Sequence, residues 1–434
     1  MEILILNSIV FFTGIKLLQK SIKKILNGNR SICLITLILF VVEYIVPLIV
    51  ETIWYVLRIK VDMFPPLSLA LCDRTTSYIY FCFAMCIQLY LYIFGTKSNI
   101  SINLLQTPKI SRELFFILKC LRFLPILVIL LSPSPLLYFK YYAPFTLHKD
   151  IVTESAAQFH SSWVSSSCTI AFLSTMAIQF FRLKSNKKQL MVQYFSVFLY
   201  SFINGKRTIL AFSVLGLIVI SVLRTKKIQL KKIILPLIMV IVFFALYSIL
   251  SGKGEYYGSA GMNLLMTYIM YFDRAFVTKI AIFEKLNPNL VHILDYPFQT
   301  ILFNLFFWIP RSFWPEKPYP YALYFTSGAI GNKTFYMVPW RFQTAVYAEW
   351  ISNIGIVLGV FLYIIIYTWF VRKTEKKKNL LIYFIGLIYS CFLQMFEYTG
   401  TPQYFIILWC ILIFLSLFKK KYLVYNSMVK MNDL

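Results

Sequence analysis

Apolar residues run in long blocks through most of this chain, and short clusters of lysine and arginine separate the blocks. Roughly 20 apolar residues cross a bilayer as a helix. On that rule the pattern predicts spans at about 3–15, 32–57, 75–95, 114–139, 161–181, 189–203, 208–223, 233–250, 345–371, 380–396 and 403–418. That is about eleven transmembrane helices, the first and sixth of them short, in an all-α polytopic membrane protein read as one integral domain over 1–434. The interval 251–343 is too long and too polar to be a span, and forms a single large loop.

The loop charges set the orientation. Segments 16–31, 96–112, 182–188, 224–232, 372–379 and 419–434 together hold 26 of the 43 Lys and Arg, and all fall on one side if the eleven spans alternate. Basic loops face the cytoplasm, so the N-terminus is expected outside, the C-terminus inside, and 251–343 on the extracytoplasmic face. Mean hydropathy of +0.72, with 59% hydrophobic and 14% charged residues, excludes an ordinary soluble domain. The formal charge of +26 therefore belongs to loops facing anionic lipid, not to a nucleic-acid surface. The apolar stretch Ile3–Ile15 precedes Lys16, Lys20, Lys23 and Lys24, the wrong order for a cleavable signal peptide, and is read as a first span.

Within the long loop, Leu265, Ile269, Phe272 and Phe276 give Met262–Leu286 helical character, and the run is expected to lie along the membrane surface. Tyr296–Pro310 is apolar and aromatic but short and closed by Pro310, so an interfacial or re-entrant segment is expected. Trp314, Pro315, Pro318, Tyr319, Pro320 and Tyr321 follow as a rigid aromatic stretch, fit for a carbohydrate platform or for interfacial anchoring.

Three places offer chemistry. The turn Asn204, Gly205, Lys206, Arg207, Thr208 puts Arg207 at the start of a span, where free amides and a guanidinium suit a phosphate; a snorkelling interfacial Arg is the plain alternative. Arg311, among Trp308, Pro310, Trp314 and Pro315, is held by rigid neighbours and suits a second phosphate or sugar contact, against a simple salt bridge to Glu316 or Asp295. Arg341 precedes Gln343, Tyr347 and Glu349, and Glu349 is a candidate proton acceptor, or merely a partner for a nearby Arg. His160, Asp273 and Glu397 compete for that role. Cys82 and Cys86 share a helical face without further ligands, so no metal site is expected. No nucleotide, dinucleotide or metal motif is present, and no cofactor is expected.

NGKRT at 204–208, IPRSFWPEKP at 309–318 and AVYAEWISNIGIVLGV at 345–360, in that order and on the outer face, resemble the bacterial oligosaccharide repeat-unit polymerases, the Wzy-type O-antigen and capsule polymerases. The likeness covers the second half of the chain by residues and the first half by span pattern. It implies a fold related to GT-C membrane glycosyltransferases and a multi-pass protein of the bacterial cytoplasmic membrane. The reaction implied joins repeat units carried on undecaprenyl pyrophosphate, without metal or nucleotide-sugar. Partners implied are the lipid-linked oligosaccharide, the bilayer, and a chain-length regulator and flippase. Carried over, Arg207 and Arg311 contact pyrophosphate while Arg341 and Glu349 line the cleft near the acceptor sugar. Asn204, Lys206, Arg274, Lys317, Trp314 and Tyr347 are the accompanying substrate contacts. Some members carry an Arg, ten intervening residues and a Gly in paired outer loops; the corresponding positions here are Ile218, Lys285, Ala322 and Ser352, a departure from that pattern. Competing readings are an O-antigen ligase, for which His292 is the long loop's one histidine, and a repeat-unit flippase or other transporter, for which Glu43 and Glu51 are the main intramembrane carboxylates.

Overall fold

A computed structural model describes residues 2–57, 65–98, 100, 111–141, 152–181, 187–204, 216, 238, 268–269, 272–331, 341–377, 379–395, 397 and 402–416. All regular secondary structure among them is helical. Five helices are long and apolar enough to cross a membrane: Glu2–Leu26, Ile32–Ile53, Arg74–Lys97, Glu154–Phe181 and Ile356–Lys376. Leu380–Met395 and Pro402–Ser416 are apolar but shorter. The spans expected at 208–223 and 233–250 lie outside the described residues, as do Lys206 and Arg207. The chain divides into two compact units, residues 1–105 with 264–434, and residues 106–263.

Several expected boundaries move, each for a local reason. The first helix does not stop near Ile15 but continues to Leu26, placing Lys16, Lys20, Lys23 and Lys24 on a helix and not in a loop. Lysine is a good helix former, and no breaker occurs before Asn27 and Gly28, where Gly28 adopts φ +102°. In the second span, Val46 N–H donates to Val41 O at 2.9 Å and Val41–Ile45 forms a π-turn. Pro47, which follows, has no N–H to continue the regular ladder. The expected span 114–139 is instead three short helices, Arg112–Leu121, Leu124–Leu130 and Leu137–Lys140, interrupted where Pro125, Pro133 and Pro135 remove donors.

The expected span 345–371 is also two helices, Val346–Ile354 and Ile356–Lys376. Gly355 separates them with φ +109°, a conformation open to glycine alone at this ψ. One turn on, Gly359 lets the second helix pack directly on the first: a Cβ there would lie 2.4 Å from Trp350 O. Along that second helix Val357, Phe361, Ile365 and Trp369, four residues apart, are all exposed. A continuous apolar stripe of this kind is the surface lipid covers.

In the unit formed by 1–105 and 264–434, the central element is Arg274–Leu286. The sequence pattern placed this region on the membrane surface, and the structure overturns that: every residue from Arg274 to Glu284 is buried. The helix packs against Val346–Ile354, Arg74–Lys97, Pro65–Cys72 and Pro47–Leu57. Its amphipathic pattern persists because the polar face meets carboxylates of the Ile32–Ile53 helix where the surface reading put water. Asp273 starts it, accepting the Phe276 N–H at 2.8 Å, a regular N-cap. An aromatic cluster closes one side of the unit: Phe40, Tyr44, Phe83 and Tyr363 surround Tyr347, with ring centroids 4.8–6.0 Å away.

In the unit formed by 106–263, Ser165–Phe181 packs against Lys187–Asn204, Arg112–Leu121 and Leu124–Leu130, around Tyr138, Val164, Cys168, Ala171 and Tyr200. His160 lies in its π-turn, buried, with Nδ1 3.0 Å from the Tyr138 hydroxyl.

Candidate functional site

Glu349 sits on the first turn of Val346–Ile354 with no exposed surface. Its Oε1 accepts from Thr300 Oγ1 at 2.9 Å and from Asn304 Nδ2 at 2.7 Å. Asn353, one turn further along the same helix, donates to Thr300 Oγ1 and to the Glu349 carbonyl, both at 2.7 Å, and its own Oδ1 accepts the Thr300 N–H. Gln403 donates to Asn304 Oδ1 at 3.1 Å. Two polar pairs at four-residue spacing, Thr300 with Asn304 and Glu349 with Asn353, thus face one another across two helices. Hydrogen bonds contribute about 0.5–1.5 kcal/mol each, enough to favour one orientation of this side chain.

The short helix carrying Thr300 and Asn304 is Gln299–Leu305. It begins at Phe298, which has φ +64° and is the one non-glycine residue in the left-handed region among the described residues. A bulky side chain there is strained by the order of 1 kcal/mol or more. The Phe298 N–H reaches the Asn353 carbonyl at 3.3 Å, so the strained residue ties this helix to the one that holds Glu349.

On another side of the same helix lies the turn bearing Arg311 and Lys317. Arg311 donates to the carbonyls of Lys317 at 2.5 Å and Pro318 at 2.8 Å, and its guanidinium stacks 3.7 Å over the Tyr319 ring. The Lys317 ammonium donates to the carbonyls of Phe307 and Ile309 at 2.7 and 2.8 Å and lies 5.1 Å over Phe303. Burial, and after it the positive charge of Arg311, lower the Lys317 ammonium below the usual lysine value. Neither Glu316 nor Asp295 pairs with Arg311, and no carboxylate of the described residues lies within ion-pair distance of either cation. Among the described residues, two positive charges are therefore held in place by backbone carbonyls and aromatic faces. Trp308 and Phe313 beside them are exposed at 67% and 83%, while Trp314 is half-buried against Phe306.

The remaining expected residues fall elsewhere. Arg341 is exposed, on the strand of chain leading to Gln343 and Val346. Tyr347 is buried in the aromatic cluster, its hydroxyl 3.5 Å from Gln394 Oε1, and offers no surface to a substrate. Arg274, expected to meet substrate from the loop, is 1% exposed and turned inward. It donates to the Met395 carbonyl at 2.7 Å, the Gln343 carbonyl at 2.9 Å and Gln343 Oε1 at 3.0 Å, with Glu43 at 3.9 Å. Asn204 is buried at the end of its helix. Among the competing carboxylates, Glu397 accepts the Ala322 N–H and the Thr344 hydroxyl at 2.7 and 2.6 Å. His292 lies 3.4 Å from Asp295, both largely exposed. Among the described residues no group of His, Cys, Asp and Glu is arranged to hold a metal ion.

Sequence reasoning missed Thr300, Asn304, Asn353 and Gln403. Their signal was the polar i, i+4 pair inside an aromatic run, which is visible only once a partner helix is known. It also missed Lys279, whose ammonium pairs with Glu51 and lies 4.9 Å over the Tyr80 ring. Comparison with protein-family models, with curated proteins and with solved structures gives no match to this chain.

Proposed function

We propose that this protein is a membrane glycosyltransferase that polymerises oligosaccharide repeat units carried on undecaprenyl pyrophosphate at the outer face of the bacterial cytoplasmic membrane. The observation that carries the reading is the Arg311–Lys317 turn, two fixed cations with no carboxylate counter-ion among the described residues, beside exposed aromatic side chains. Attack of an acceptor hydroxyl on the anomeric carbon forms the new glycosidic bond and breaks the bond to pyrophosphate. The negative charge that leaves needs preorganised positive groups, and these two are held before the substrate arrives. The hydroxyl proton needs an acceptor, and we assign that role to Glu349, held by Thr300 and Asn304 of the Gln299–Leu305 helix, which requires the enclosed carboxylate to be uncovered when the acceptor binds. Arg207 and Arg341 are assigned the second pyrophosphate contact and the acceptor cleft on the family resemblance. A chain-length regulator and a flippase are the partners such a reaction implies.

The test is a surface-polysaccharide gel from cells lacking the gene, beside the same cells complemented. A ladder that collapses to core bearing one repeat unit supports polymerisation. In complemented cells, Arg311→Ala is expected to lower turnover by the order of 10², as for loss of one preorganised charge-stabilising group. Wild-type chain lengths from stably expressed Arg311→Ala protein would remove Arg311 from the mechanism. A transporter is the second reading, favoured by Glu43 and Glu51 on a candidate span, paired with Arg274 and Lys279 of the neighbouring helix, since ionisable groups at membrane depth mark transport paths. Absence of any repeat unit on the core in the deletion strain leaves the transporter or the O-antigen ligase, and accumulation of long lipid-linked polymer then selects the ligase.

A further inference from the structure

Three carboxylates and two cations meet where the Arg274–Leu286 helix packs on the Ile32–Ile53 helix. Glu43, Glu51, Asp273, Arg274 and Lys279 are each no more than 5% exposed. Lys279 pairs with Glu51 and Arg274 faces Glu43, so the two cations answer the two glutamates, and among the described residues Asp273 has no cation within ion-pair distance. Its Oδ1 accepts the Phe276 N–H, while Oδ2 has no hydrogen-bond partner. Oε1 of Glu51, Oε2 of Glu43 and the hydroxyl of the fully buried Tyr44 likewise have none. An ionised carboxylate left without a partner in the interior costs several kcal/mol.

We propose that this cluster is a proton-binding site, in which Asp273 holds one proton at neutral pH and releases it only when the cluster opens or the pH rises. Charge balance requires one further positive charge here, and a proton supplies it without the ligand set a metal ion needs. Every group facing Asp273 is consistent with that. The Ile32–Ile53 helix contributes Glu51, with Glu43 and Tyr44 beside Arg274; Arg74–Lys97 contributes Tyr80, which donates to the Tyr44 carbonyl at 2.6 Å; and Tyr268 precedes the cap. Of these, the glutamates are matched by Arg274 and Lys279, and the tyrosines are neutral. Burial, and then the negative charge of Glu51, raise the Asp273 carboxyl well above the usual aspartate value, against the cap hydrogen bond and the two cations.

The site has a mechanical connection. Arg274, next to Asp273 in the chain, grips the carbonyls of Gln343 and Met395, and Gln343 leads directly into the helix that carries Glu349. Ionising Asp273 adds a second anion competing for that guanidinium, so proton release is coupled to the grip on this segment. The inference holds whichever of the two proposed functions the polysaccharide gel selects.

A group raised in the folded state binds a proton that the unfolded chain has released, so its contribution to stability is full below the ordinary aspartate value and is lost as pH climbs through the folded value. Asp273→Asn keeps a good cap and a neutral side chain, and is expected to fold as wild type at neutral pH and to lose less stability at alkaline pH. The direct test is the infrared spectrum of the full-length protein in lipid vesicles at neutral pH. The carbonyl band of a neutral carboxylic acid is expected in wild type and its intensity is expected to fall in Asp273→Asn. An unchanged band in the variant, or none in wild type, overturns the proposal. So does a thermal midpoint that rises with sodium or potassium in wild type but not in Asp273→Asn, which would give the site a metal cation instead. Should Asp273→Asn fail to fold at neutral pH, the charged form is the native one and the proposal falls on that result.

Discussion

Lys279 and Glu51 test whether the buried charges hold this fold together or are merely tolerated by it. Both side chains are almost fully enclosed, at 2% and 4% exposure. The ammonium has Glu51 as its ion-pair partner and the Tyr80 face beneath it. Replacing Glu51 by Leu leaves the lysine charge with the aromatic ring alone. Replacing Lys279 by Met leaves a second unmatched carboxylate beside Asp273. Breaking a buried pair from one side costs about 3–5 kcal/mol, whereas exchanging both members for apolar residues of similar volume is near neutral. Each single variant is therefore expected to lose at least 3 kcal/mol, roughly a hundredfold in the folded-to-unfolded ratio. The Lys279→Met, Glu51→Leu double variant is expected to lose clearly less than either single one, apart from the cation–π contribution of about 2 kcal/mol at a desolvated site. Thermal unfolding of all four proteins in one detergent at one pH gives the cycle. If the losses of the two single variants simply add in the double variant, the charges are not coupled and the reasoning fails.

Two glycines separate strain from steric conflict. At Gly359 an added Cβ meets the Trp350 backbone, so Ala is expected to cost about 1–3 kcal/mol or more by overpacking, and Ser at least as much. At Gly355 nothing lies within 4 Å, and the cost is backbone strain of about 1–3 kcal/mol, equal for Ala and Ser; thermal midpoints of the four variants show both patterns. In the Glu349 pocket, Thr300→Val removes one donor to the carboxylate and the acceptor for Asn353, an expected loss of about 1–3 kcal/mol. Thr300→Ser keeps the hydroxyl and is expected to restore both stability and turnover; equal defects in the two would mean that the methyl group, not the hydrogen bond, matters.

Hydropathy alone determined that the chain is built of apolar helices. It does so because a bilayer-length run of apolar residues has few other folds open to it. Five such helices stand at or near expected places, and the Asp273 and Asp73 caps follow ordinary rules for chain entry into a helix. Local chemistry was read less well. Pro125 and the glycine at 355 broke helices that periodicity carried through, and a π-turn precedes Pro47 in a helix that continues, because average hydropathy does not register a missing N–H or a positive φ.

Tertiary structure decided the rest. Arg274–Leu286 has the pattern of a helix lying half in water, and sequence could not show that Glu43 and Glu51, more than two hundred residues earlier, would take the place of water on its polar side. The same holds for Glu349, whose partners Thr300 and Asn304 come from a separate helix, and for Arg311, whose expected carboxylate partners turned out to be backbone carbonyls. A charge costs least where its counter-charge or its hydrogen bonds lie. Those are long-range facts of packing, while the sequence carries only the charge.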